Sequence, residues 1–62
     1  MKRDQILSTI RGLAASQGFY GRLYSGIMEA RENDFDTYDD YMCMLEDQHF
    51  SDPVDLVLFF EC

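Results

Sequence analysis

The chain has 62 residues, five of them basic and twelve acidic, for a formal net charge of −7. A chain this short buries only about 60% of the surface its unfolded form exposes, which allows one core and leaves little for a deep enclosed active site. Hydrophobic residues at 47% and aromatics at 15% exclude a disordered acidic tail, and residues 1–62 read as a single small domain.

The first predicted helix has Asp4 as its cap and an amphipathic stripe of Ile6, Leu7, Ile10, Leu13 and Ala14. Gly18 is placed to end it in a left-handed C-cap. A second helix starts near Phe19, with Phe19, Leu23, Ile27 and Ala30 on one stripe and Tyr20, Tyr24 and Met28 beside it. Gly21 and Gly26 weaken it. The reading we favour is that Gly21 and Ser25 admit a close neighbour; the alternative is a weak, mobile helix.

Glu32-Asn33-Asp34 is a polar break, after which Asp34 or Asp36 caps a third helix. Phe35, Tyr38, Met42, Leu45 and His49 keep one face apolar. At about 100° per residue, Asp36, Asp40 and Asp47 fall opposite, Asp39 and Glu46 on the border, and Cys43 among the acids. Phe50-Ser51 is the last connector. Asp52-Pro53-Val54-Asp55 then signals a helix start, and Leu56-Val57-Leu58-Phe59-Phe60 runs apolar without a break. That composition also suits a buried strand; the start signal selects helix. The expected fold is all-α, a compact bundle of three to four short helices. Its expected core is Ile10, Leu13, Leu23, Ile27, Tyr38, Met42, Leu45, Val57 and Phe60.

Charge is divided between the halves. Residues 1–31 carry all five basic groups and two acids (+3), whereas residues 32–62 carry ten acids and no Lys or Arg (−10). Either the halves pack together and Arg11, Arg22 and Arg31 neutralise the acids, or the asymmetry marks an interaction surface. The negative total argues against direct nucleic-acid binding and against attachment to anionic membranes. No stretch reaches the ~20 apolar residues of a spanning helix. Asp4 and Arg11 interrupt what would be the apolar core of a signal peptide, so a soluble cytoplasmic protein is expected. Cys43 and Cys62 lack CxxC spacing and are expected to be reduced thiols.

Chemical motifs are sparse. Glu46-x-x-His49 has the spacing of di-iron helices but lacks the further inward glutamates such a site needs. Asp34-x-Asp36 opens like a calcium loop, which then fails at Tyr38 and Asp39. Cys43 and His49 point in different directions on one helix, and no nucleophile elbow or Gly-rich phosphate loop is present. No enzyme activity, metal or cofactor is expected.

Two surfaces remain. Asp36, Asp39, Asp40, Glu46, Asp47, Asp52 and Asp55 form a candidate acidic face, suited to a basic protein, to imitating DNA phosphates, or simply to solvation. The all-round apolar run makes Leu56, Phe59 and Phe60 candidates for self-association, unless that helix sits between the others.

Ser16-Gln17-Gly18-Phe19-Tyr20-Gly21-Arg22-Leu23 and Asp52-Pro53-Val54-Asp55-Leu56-Val57-Leu58 resemble small uncharacterised proteins of conjugative elements in gut Firmicutes. The resemblance implies a mobile-element setting and supplies no catalytic residues. The expected function is a non-enzymatic acidic module that binds a protein or a second copy of itself. The alternative is a DNA-mimicking inhibitor of a DNA-processing or defence enzyme.

Overall fold

The structure, a computed structural model, describes residues 1–61. The expectation for Cys62 lies outside them. Four helices follow in order: α1 (Arg3–Ala14), α2 (Gly18–Asn33), α3 (Phe35–Asp47) and α4 (Pro53–Glu61). The described residues contain no strand, so the segment after Pro53 is helical and the expected all-α bundle is observed.

Each helix boundary has a local cause. α1 starts one residue before Asp4: Lys2 is the N-cap, and its backbone N–H donates to the Gln5 side chain at 3.0 Å. Asp4 lies in the first turn, where a carboxylate suits the positive end of the dipole. Gly18 does not cap α1. It is the first residue of α2, and no described glycine has positive φ. The turn closes instead through Ser16 and Gln17, whose N–H groups donate to the Leu13 carbonyl.

α2 runs on through Glu32 and Asn33, so a single residue, Asp34, separates it from α3. The Asp34 N–H closes α2 on the Ala30 carbonyl at 2.7 Å, and its carboxylate receives the Thr37 N–H and hydroxyl. One residue thereby ends one helix with its backbone N–H and starts the next with its side chain.

At the far end of α3, His49 adopts φ 54° and its N–H donates to the Glu46 carbonyl. This is the left-handed position usually taken by Gly or Asn. The backbone turn lifts His49 off the apolar stripe and leaves it exposed. α4 opens as expected: Asp52 accepts the Asp55 N–H at 3.1 Å, and Asp55 accepts the Ser51 N–H at 2.9 Å.

The core consists of Ile6 and Ile10 from α1, Tyr20 and Ile27 from α2, Tyr38, Met42 and Leu45 from α3, Phe50 from the connector, and Leu56 from α4. Leu13, Leu23 and Phe60 are only partly buried against it, and Val57 is half-buried. In α2 the expected stripe fails in the first turn, where Tyr20 is fully buried and Phe19 is exposed, whereas Ile27 is buried as expected. Phe35 is likewise exposed rather than continuing the apolar face of α3.

α1, α2 and α3 pack against one another in every pairwise combination. α4 meets them chiefly through Leu56 and an aromatic chain in which Phe60 stands edge-on to Tyr20 and Phe59 edge-on to Phe50. The α2 glycines do not serve close packing. A Cβ on Gly21 would sit 3.9 Å from the Ala14 carbonyl oxygen, an ordinary contact, and one on Gly26 would meet nothing within 4 Å.

Candidate protein-interaction site

The helical period fixes which side of α4 faces inward. Leu56 is fully buried, and at about 100° per residue the opposite stripe is Val54, Leu58 and Glu61. Val54 and Leu58 are accordingly 62% and 57% exposed. Phe59 on the flank is 39% exposed, and Phe19, whose ring centroid lies 6.3 Å from that of Phe60, is 47% exposed. Phe59 and Phe60 stand edge-on at 5.1 Å, so the aromatic surface is continuous from α4 to the start of α2.

This corrects the expected self-association residues. Leu56 belongs to the interior and is unavailable to a partner, Phe60 is half-buried, and Phe59 alone of the three is exposed. The exposed apolar residues of this surface also include Val54, Leu58 and Phe19, which the sequence did not single out for it. The all-round apolar run signalled an exposed face but gave no direction for it, because no polar residue interrupts it.

Beneath this surface lies a polar anomaly. Tyr20 is fully buried and its hydroxyl has no hydrogen-bond partner among the described residues. Burial, reinforced by the negative charge of Glu61, raises the phenol pKa above its ordinary value. The ring contributes apolar area and the edge-on contact with Phe60, while the hydroxyl is carried at a cost.

The acidic face is partly neutralised, by a residue the sequence did not single out. Arg3 reaches from the start of α1 across α3, where its guanidinium binds Asp39 at 2.9 Å and Glu46 at 3.2 Å, and donates to the Cys43 sulfur at 3.5 Å. The hydrogen bond to Asp39 raises the Arg3 pKa, partial burial opposing it. These three partners are spaced i, i+4, i+7, which aligns them along one flank of α3.

Arg31 rests over the Tyr38 ring at 5.9 Å rather than on a carboxylate, with Arg3 also 5.6 Å from that ring. Among the described residues no ion pair involves Arg11, Arg22 or Arg31, so the neutralisation expected of them falls to Arg3. Asp36, Asp40 and Asp47 are exposed, and so is Cys43. Asp52 and Asp55 are occupied in opening α4. The seven acidic candidates therefore divide into three groups rather than forming one face.

Among the described residues no three His, Cys, Asp or Glu side chains gather as a metal site. Within the same described residues no helix is long and apolar enough to cross a membrane. The chain matches no protein-family model, no curated protein and no solved structure.

Proposed function

We propose that this chain is a non-enzymatic protein-interaction module whose contact surface is the outer face of α4. The observation that carries this reading is the exposure of Val54 and Leu58 directly opposite the buried Leu56. A nine-residue helix with a polar outer side would anchor through Leu56 equally well. The continuity of this stripe with the exposed Phe59 and Phe19 rings supports reading it as a contact surface.

Asp36, Asp40 and Asp47 on α3 keep the module soluble. The DNA-mimic alternative needs those same carboxylates together with Asp39 and Glu46, and Arg3 engages the latter two. That engagement favours the apolar reading. The resemblance of residues 16–23 and 52–58 to conjugative-element proteins supports an accessory role on mobile DNA as the setting.

The test uses three baits in crosslinking capture from the source cell: the native chain, a Val54→Ser/Leu58→Glu variant, and an Asp36→Asn/Asp40→Asn/Asp47→Asn variant. The apolar variant should lose the captured partner and the acidic variant should keep it. Loss with the acidic variant alone, with capture abolished by competing DNA, would support the mimic instead.

A further inference from the structure

α2 and α3 enclose an open groove of about 380 Å³, lined by Leu23, Gly26, Ile27 and Ala30 from one helix and Thr37, Tyr38 and Tyr41 from the other. Its walls are overwhelmingly apolar. Its floor is open at Gly26, where an added Cβ would touch nothing. Arg22 stands at one end, is exposed, and makes no ion pair among the described residues.

The outer stripe of α4 is the complement of this groove. Val54 and Leu58 are exposed apolar knobs one turn apart, and Glu61 follows on the same stripe, also exposed. Val54 to Glu61 spans about 10 Å of helix, and Arg22 to Ala30 about 12 Å. A helix laid along the groove with Glu61 at Arg22 brings Leu58 near Gly26 and Val54 toward Ala30 and Thr37.

We infer that the α2/α3 groove receives the outer face of α4 from a second copy of this chain, with Glu61 of one copy on Arg22 of the next. This rests on the reading of α4 as a contact surface and names one occupant for it. The contact is heterologous: knob and groove are different surfaces, so a pair of copies still has one free groove and one free knob. Association is therefore open-ended unless the rotation between copies closes a ring. Each copy carries −7, so general repulsion opposes assembly and the apolar contact drives it. Moderate salt strengthens the association, whereas it would weaken a mainly electrostatic one.

Two variants break complementary halves of the contact. Leu58→Glu destroys the knob and leaves the groove; Gly26→Leu fills the groove and leaves the knob. Both positions are exposed, and circular dichroism verifies that each variant is folded. By light scattering over a concentration series, the native chain should rise in average mass without levelling at twice the monomer. Each variant alone should stay monomeric. An equimolar mixture should form a heterodimer and nothing larger, since one intact knob and one intact groove remain.

Arg22→Glu should weaken self-association about tenfold, and mixing it with Glu61→Arg should recover most of the loss. A native chain that is monomeric throughout overturns the inference, as does a closed dimer indifferent to Gly26→Leu. If the chain is monomeric yet capture of a cellular partner still depends on Val54 and Leu58, the self-association fails and the reading of α4 stands. Loss of both removes the two together.

Discussion

α3 and α4 solve opposite problems with adjacent stretches of chain. α3 sorts its residues by face: Tyr38, Met42 and Leu45 point into the core, and Asp36, Asp40 and Asp47 point into water. α4 cannot sort, because five consecutive apolar residues project in nearly every direction around its axis. Burying Leu56 leaves Val54 and Leu58 outside. The difference teaches that a short apolar helix at the edge of a small bundle has two surfaces by construction. One secures the fold, and the other is free for a contact that the fold does not require.

The sharpest way to break this comparison is to treat the two leucines of α4 alike. Leu56→Ala should cost about 2–5 kcal/mol in chemical denaturation, as truncation of a fully buried leucine does. For a domain of this size, whose whole stability is of the order of 3–9 kcal/mol, that is enough to populate the unfolded chain. Leu58→Ala, two residues on, should change stability by less than about 0.5 kcal/mol in dilute solution. Equal effects would mean that α4 has no inner and outer side.

Next in size is Tyr20, whose buried hydroxyl has no partner among the described residues. Tyr20→Phe should raise stability by about 1 kcal/mol, since an unmade buried hydrogen bond costs about that much or more. The pH dependence has a definite sign. Burial raises the pKa of Tyr20, and also of Tyr41, above the ordinary 10.0. Their contribution is therefore complete below pH 10 and is lost as the pH rises through the folded-state values, because the unfolded chain releases these protons first. Denaturation midpoints should fall on the alkaline side, and less so in Tyr20→Phe than in the native chain.

How far these features could be read in advance depended on periodicity. The inner face of α3 was legible because polar and apolar residues alternate with a helical period, and so was the opening of α4 at Asp52-Pro53. In α2 the adjacent Phe19 and Tyr20 are both aromatic, so hydropathy could not separate two orientations 100° apart. α4 has no polar residue in its apolar run to point outward, which left the choice of Leu56 over Leu58 undetermined. The role of Arg3 was out of reach for another reason: its partners lie 36 to 43 residues away, and their approach depends on how α1 lies on α3. The start of α1 was missed because its N-cap is Lys2, which carries none of the side-chain signals of a cap.

The smallest expected effect concerns salt. With Asp36, Asp40 and Asp47 exposed and Arg3 engaging only Asp39 and Glu46, residual repulsion remains on the acidic half. Raising ionic strength from low to moderate should increase Tm by a few degrees in dilute solution. Asp40→Asn should remove part of that response. A flat or falling profile would mean that the basic half neutralises α3 more fully than its ion pairs account for.

The most direct measurement of the two-sided nature of α4 is methyl NMR with a soluble paramagnetic agent, at low and at high protein concentration. In dilute solution the Val54 and Leu58 methyls should broaden strongly while those of Leu56 do not. On concentration, Val54 and Leu58 should become protected, and so should Leu23 and Thr37, which line the α2/α3 groove. Protection of Leu58 already in the dilute monomer, or unchanged broadening of Val54 and Leu58 at every concentration with every partner tested, would contradict the assignment of this face as a contact surface.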